Sequence, residues 1–474
     1  MKYLLLIPGI FVLLILIAVV RTLFSPRKTS DYRPQEDEQE ALRLAEKLSQ
    51  MIRVDTTSHA GGDDPARFRA FHKTLAELFP LVFSRLEKTE IDGNLLFYWK
   101  GRSPEKPILL MSHQDVVPAE GDWLHAPFSG DIADGKVWGR GASDTKCSVM
   151  AFFEAAEQLL AEDYTPPTDV YLASSCTEEW AGDGAPKPEL RRRGVELFLV
   201  CDEGGGIISE PIGGIPGNFA MVGVFEKGKA DVKFTAKSTG GHASAPGKHT
   251  PIARLAAFVN ETENHSPFRK KLLPEVAAMF RTLSGYASSF GLRLLLGNLW
   301  LFSPLLKAVL PAVSAQAGAM LKTTIAFTTQ SGSDAYNVIP QEATLGANLR
   351  FIPHQGEQES LAIIRRRAEK HGLAMEVLHA NDYTPPVDIH GEAFTLFTKI
   401  IGTTFPGLAS SPYVMTGATD AQFYQPVCKS CIRFAPVIYG PEQMKGMHGV
   451  NENIEYNCLP GAVRFYRNLI CAEK

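Results

Sequence analysis

The residues best able to do chemistry in this chain are histidines and acids at fixed local spacings. They are His113-x-Asp115, Asp144 in GRGASDTK, the doublet Glu178-Glu179 in SSCTEEWAGDG, Asp202 in CDEGG and His448 in KGMHGVNEN. Imidazole and carboxylate donors suit zinc best, although cobalt or manganese could occupy the same shell. Charge counting favours a pair of ions, because two divalent cations bring +4, Asp144, Glu179 and Asp202 bring −3, and one shared hydroxide completes neutrality. The neutral imidazoles of His113 and His448 fill the shell. In this reading Asp144 bridges the ions, His113 and Asp202 serve one, and Glu179 and His448 serve the other. Asp115 stands behind His113, accepting the bond from its second ring nitrogen and fixing the tautomer. Glu178 has no place left in the shell, so it faces the reacting water as general base and later hands the proton to a leaving amine.

Such a centre needs elements that bring distant residues to one edge. His113 closes the apolar run PILLMSH, Glu178 follows DVYLASSC, and Asp202 ends ELFLVCD, so each lies just past the carboxyl end of a strand. With ALRLAEKLSQMI and SVMAFFEAAEQLLAE as amphipathic helices, the βαβ rhythm predicts an open α/β sheet with helices on both faces. Late in the chain CIRFAPVIYG leads to His448, and NIEYNCLPGAVRFYRNLI supplies a closing helix. The catalytic domain is therefore expected in two parts, 41–226 and 381–474. Between them ADVKFTAKS, ATLGANLRFIP, the helix ESLAIIRRRAEKHG and the strand LAMEVL predict an inserted α+β lid or dimerisation domain over 227–380. Inside it LRLLLGNLWLFSPLLKAVLPAV is more apolar than an exposed helix should be. Either it packs within the lid or a dimer, or it meets a fatty chain or a membrane surface.

The chain has 474 residues, 45% of them hydrophobic and 21% charged, enough to bury a sizeable core and long enough for two or three domains. A formal net charge of −4 leaves no basic face for phosphates, and no nucleic-acid-binding signature occurs, which excludes that class of partner. The seven cysteines are thinly spread and read as mostly buried thiols, with Cys428-x-x-Cys431 lacking the second pair that structural zinc wants. Residues 1–28 read as an uncleaved membrane anchor: Tyr3 to Val20 is apolar, and Ala18-Val19-Val20-Arg21 offers no good signal-peptidase site. Lys2 before it and Arg21, Arg27 and Lys28 after it leave orientation open by charge. The body is expected to be extracytoplasmic, or secreted if the segment is cleaved. Residues 29–40 (TSDYRPQEDEQE) read as a polar spacer.

Six motifs in order, MSHQDVVP, GRGASDTK, TEEWAGDGA, VCDEGG, GGHASAP and MHGVNE, resemble the di-zinc exopeptidase family of aminoacylase, carboxypeptidase S and glutamate carboxypeptidase. The likeness covers everything after the spacer. The insertion and anchor look most like the branch containing carboxypeptidase S and the N-fatty-acyl-amino-acid synthase/hydrolase. The resemblance implies a zinc-exopeptidase-like sheet with two zinc ions per chain. It also implies a hydrolase that cleaves the amide bond of N-acyl amino acids or the C-terminal peptide bond of short peptides bearing a free carboxylate. The same site could run backwards, condensing a fatty acid with an amino acid. On the substrate side it implies a lid histidine, His242, that polarises the scissile carbonyl, often in the site of a partner subunit of a homodimer. Asn337 in YNVIP and Arg350 in ANLRFIP match lid positions that hold the substrate, the arginine gripping its carboxylate, and Thr419 matches a substrate-side loop. A cis peptide between Asp144 and Thr145 is implied as well. Two alternatives are weighed: an aminopeptidase of related fold, and a non-catalytic membrane receptor. The receptor would have lost metal ligands or Glu178, and neither is lost.

Overall fold

The structure is a computed structural model that describes residues 6–34, 37–59, 65–180, 182, 186–415 and 417–474. The first residues of the apolar N-terminal segment, Gln35 and Glu36 of the polar one, most of the AGDG that follows the acid doublet, and Thr416 lie outside the described residues.

The larger sheet runs in the order Glu87–Ile91, Asn94–Trp99, Thr168–Ser175, Ser103–His113, Leu199–Asp202, Cys431–Arg433, Asn218–Glu226, Gly206–Ser209 and Ile438–Tyr439, with Ala409–Met415 branching from Asn218–Glu226. Its centre is parallel: Ser103–His113 pairs in parallel with both Thr168–Ser175 and Leu199–Asp202. Their middle residues are apolar on both faces because each face meets a different core. Ile108, Leu110, Val170 and Leu172 join the main cluster, in which the helix Lys146–Ala161 packs, while Leu109, Met111, Tyr171 and Ala173 face the opposite one. Parallel order puts the three carboxyl ends side by side, and so His113, Glu178 and the Asp202-Glu203 pair come together. Cys431–Arg433, from the far end of the chain, lies parallel to Leu199–Asp202 in the same sheet.

A second, antiparallel sheet of four strands, ordered Thr324–Ser331, Glu342–Phe351, Gly228–Lys237 and Ala374–Asn381, has its own core with the helices Pro251–Asn264 and Glu357–Lys370. Its central strands alternate buried and half-buried residues, the pattern of a sheet covered on one face. The apolar stretch 274–320 does not pack there. Val276, Met279, Phe280, Leu283, Leu296, Leu306 and Met320 belong to the core of the larger body. A mixed α/β fold results.

The seven cysteines are free thiols, six of them buried. The polar segment expected as a spacer is seated rather than loose. Tyr32 is buried edge-on against Phe405 with ring centroids 5.3 Å apart, Asn218 Nδ2 donates to Tyr32 O at 3.0 Å, and Ala409 N donates to Ser30 Oγ at 3.1 Å. A buried aromatic ring holds it down. Among the described residues no single helix is long and apolar enough to cross a membrane; Phe290–Gly297 with Leu299–Ala312 is so only as a pair, across a 107° bend.

Candidate metal centre

Asp144 stands between two imidazoles. His113 Nε2 lies 3.1 Å from its Oδ1 and His448 Nε2 lies 3.1 Å from its Oδ2. His448 is also 3.2 Å from Glu179 Oε2, and His113 is 4.0 Å from Glu178. Among the described residues two groups could hold an ion, His113 with Asp144 and Glu179, and His113 with Glu178 and Glu203. His448 is held in the left-handed region, with φ 54°, a conformation that non-glycine residues keep only where the surroundings impose it. The peptide between Asp144 and Thr145 is cis.

A buried frame holds these side chains. Glu452 is fully buried and accepts hydrogen bonds from Gly141 N (3.0 Å), Ser143 N (2.9 Å), Ser143 Oγ (3.1 Å) and Asp144 N (2.9 Å), while pairing with Arg140 Nη1 at 2.8 Å. This carboxylate shapes the loop that presents Asp144. Asp115 does the same for the doublet: its oxygens accept from Glu178 N at 3.3 Å, Glu179 N at 3.2 Å and Ser58 Oγ at 2.8 Å. The ring of His113 leans on the backbone of Asp115, with Nδ1 2.8 Å from its carbonyl oxygen and 3.5 Å from its carboxylate. The histidine is thus oriented by the residue expected, chiefly through the main chain.

Asp202, expected as a ligand, is turned away. Its Oδ1 accepts from Glu203 N at 2.8 Å and its Oδ2 from Ala421 N at 2.7 Å, so both oxygens are occupied by backbone donors. The acid that joins His113 is its neighbour Glu203, which spacing alone missed; the signal was a second acid doublet, like 178–179. Asp420 was missed too. It is buried with Oδ2 unpartnered beside the same acids.

The electrostatics ask for cations. Burial, with repulsion from Glu203, Asp420 and Glu179, pushes the Glu178 carboxyl well above its usual range. Burial and the charge of Asp144 do the same to Glu203, and burial beside Asp202 lifts Asp420 to about 7. Asp144 goes the other way: burial opposes its charge, but the contacts with His113 and His448 win. Hydrogen bonds to Asp144 and Glu179 raise His448 to about 10. Glu179 Oε1 is buried with no hydrogen-bond partner among the described residues, an orphan acceptor whose natural satisfaction is a metal ion. The donor set fits zinc.

The remaining expected residues are spread. Thr419 lines the cleft beside these acids, but its hydroxyl is bonded to Glu226 Oε1 at 2.5 Å. His242 and Asn337 are exposed and adjacent, on the ribbon where Gly241–His242 pairs with Val338–Ile339 and Ala243 N donates to Asn337 O at 2.9 Å. Arg350 is half-buried on the small sheet, with Nε donating to Asn348 Oδ1 at 3.0 Å. None of these three lines the cleft. That cleft has a volume of ≈ 480 Å³ and runs from Asp144, Glu178 and His448 into an apolar groove walled by Met221, Met279, Met320, Met415, Met444 and Met447.

Strand-end acids, an imidazole-flanked aspartate and a split α/β body accord with a family model matching residues 109–472. The chain belongs to peptidase family M20/M25/M40. It is 33% identical to the N-fatty-acyl-amino acid synthase/hydrolase PM20D1 of Xenopus tropicalis, over 97% of this chain and 92% of that one. It is 31% identical to the probable carboxypeptidase S-like 2 of Dictyostelium discoideum, over 90% and 85%. Among solved structures it shares the fold of the M20 family metallo-carboxypeptidase Sso-CP2 from Sulfolobus solfataricus, with a TM-score of 0.66 and 16% identity over 92% of this chain and 99% of that one. Membership of the M20 family makes this chain a hydrolase of the metallo-carboxypeptidase and amidohydrolase type, and the expected branch is the one to which its relatives belong.

Proposed function

We propose that the chain is a two-zinc amidohydrolase that releases the amino acid from N-acyl amino acids, and that it joins fatty acid to amino acid when run in reverse. The observation that carries this reading is the continuity of the acid cluster with a methionine-walled groove. A short peptide would leave that groove empty, whereas flexible, polarisable methionines suit an acyl chain. The similarity to N-fatty-acyl-amino acid synthase/hydrolases supports it.

His113, Asp144 and Glu203 would hold one ion, and Asp144, Glu179 and His448 the other. When bound, the pair would polarise the scissile carbonyl and make water a better nucleophile at neutral pH. Glu178, on the cleft wall and carried on backbone fixed by Asp115, takes the proton of the attacking water and returns it to the departing amine nitrogen. Arg350 has no carboxylate partner among the described residues, which leaves its fork free for the substrate carboxylate. His242 and Asn337 stand outside the cleft on an exposed ribbon, and we assign them to the cleft of a second copy in a homodimer. The apolar helix from Gly9 to Phe24 attaches the protein to a membrane, with the body extracytoplasmic.

The test is release of free amino acid from acetyl-, octanoyl- and oleoyl-amino acids and from dipeptides, with and without chelator. Catalytic efficiency should climb with chain length, by up to about 0.8 kcal/mol per buried methylene until the groove is full. Chelation should abolish activity and zinc restore it. A flat chain-length profile would remove the fatty-acyl assignment, and full activity in metal-stripped protein would remove the metals.

A further inference from the structure

Distant parts of the chain meet in one outward apolar face. The helix Leu6–Phe24 lays Ala18 and Thr22 on the helices Phe290–Gly297 and Leu299–Val313, where Asn298 Nδ2 donates to Thr22 Oγ1 at 2.9 Å. Among its described side chains, Phe11, Val12, Leu13, Leu16, Val20 and Leu23 are all exposed. Helix Leu299–Val313 adds a stripe of Pro304, Leu305, Ala308, Val309 and Ala312, at helical spacing and exposed, with Trp300 at its start. A helix facing water puts its charges there, yet Lys307 is the only ionisable residue in this one.

At the inner edge of this face lies a cavity of ≈ 200 Å³ lined by Arg21, Arg281 and Arg293 together with Thr22, Ser25 and Asn298. Arg293 is only 6% exposed, and its Nη2 donates to Ser25 O at 2.6 Å and Thr22 O at 3.3 Å. Among the described residues no carboxylate pairs with any of the three arginines. Guanidinium groups without counter-ions, beside hydroxyl and amide donors, are a phosphate's natural partners. The geometry also removes slack between helix and body, because Arg293 grips Ser25, Lys28 N donates to Gly285 O at 3.0 Å and Ser30 is bonded to the body. A bilayer that receives the first helix must therefore lie against the second and third.

We propose that this face seats in the interfacial layer of a phospholipid bilayer and that the Arg21–Arg281–Arg293 cavity takes the phosphate of an anionic phospholipid. The proposal rests on the reading that the N-terminal helix attaches to a membrane. Met279 and Met320 of the catalytic groove lie in the same sequence stretch as this face, but are buried in the core behind it.

The full chain in lipid nanodiscs tests this through Trp300, whose Nε1 is 3.3 Å from Asn298 Oδ1 at the cavity. The quenching of interest is the wild-type signal minus that of Trp300→Phe, using lipids brominated on the acyl chain. Trp300 should be quenched. At equal bulk fractions, brominated phosphatidylglycerol should be preferred over brominated phosphatidylcholine by about thirtyfold, the effect of two surface cations. Arg21→Gln with Arg281→Gln should erase the preference and Arg281→Lys should keep it, while hydrolysis of a soluble acetyl-amino acid stays unchanged in each. A protein that enters nanodiscs without Trp300-specific quenching overturns the docked face and leaves the attachment standing; a protein that fails to enter overturns both. Equal quenching by the two lipids, or loss of the preference in 10 mM inorganic phosphate, overturns the lipid assignment of the cavity.

Discussion

Replacing Glu452 by alanine should unseat the metal centre without touching a residue that faces it. The side chain is fully buried and its two oxygens accept from three backbone amides, one hydroxyl and the Arg140 guanidinium, at 2.8 to 3.1 Å. Removing it leaves a buried arginine without its counter-charge, which costs about 3 to 5 kcal/mol. Each orphaned amide adds about 1 to 3 kcal/mol in the absence of water. Those terms do not sum, because Arg140 keeps Gly449 O at 2.8 Å and the cavity left behind is polar enough to admit water. A net loss of about 4 to 6 kcal/mol is expected, a large share of what holds an ordinary domain together. Glu452→Gln should cost less, since the amide keeps one acceptor while turning a donor toward amides that already donate.

The readout must separate general instability from loss of the loop. Amide hydrogen exchange at Gly141, Ser143 and Asp144 should rise by orders of magnitude in Glu452→Ala, while exchange in Val170 to Ala173 of the neighbouring strand changes far less. Metal content should fall with it. An alanine variant that keeps full metal content and wild-type protection at those three amides would refute the reasoning, because the loop would then be holding itself.

Glu178→Ala should keep its metals and lose turnover by about 10² to 10⁴, the range for a general acid/base, whereas Glu179→Ala should lose metal; the reverse pattern by metal analysis and kinetics would swap the roles. Glu203→Ala should cost an ion and Asp202→Asn should not, although the second should lower stability because Ala421 N loses a charged acceptor at 2.7 Å. Lys227 is buried with Nζ bonded to Ala319 O, Lys322 O and Thr324 Oγ1, and burial, with Arg350 and Lys322 nearby, lowers its pKa to about 7. Between pH 7 and 10 the unfolded chain then holds a proton that the folded one lacks, so stability rises with pH. Denaturation of Lys227→Met should lack that rise, on the order of 1 kcal/mol per pH unit at most.

The strand-end acids were legible because apolar runs of fixed length deliver their last residue to one edge, and parallel pairing puts those edges together. The choice within the second doublet was not. Asp202 is the last residue of its strand, and the amide that occupies its Oδ2 belongs to Ala421, which no local pattern announces. Gly204 and Gly205, both with positive φ, then turn the chain so that Glu203 faces the cleft. The framing role of Glu452 was hidden in the same way: it sits in the motif that carries His448, but its partners lie more than 300 residues away. The apolar insertion was visible as a composition, and its true partner, the core of the larger body, was not.

The acids of this centre divide by what satisfies them. Asp115, Asp202 and Glu452 spend their oxygens on backbone amides, charge-assisted bonds that hold loops in place whatever the cleft contains. Glu178, Glu179 and Glu203 are presented by those loops, and among the described residues their oxygens meet no such donors; one of them, Glu179 Oε1, meets none at all. A carboxylate bonded to the main chain through both oxygens is held in its own loop, with fewer lone pairs left for a cation. A carboxylate left bare beside like charges is costly until a cation arrives, and here burial, with neighbouring carboxylates, pushes Glu178 and Glu203 well above their usual range. Hydrogen-bond satisfaction therefore separates adjacent acids that sequence spacing cannot, and on that ground we propose Glu203 for the ions and Asp202 for the frame.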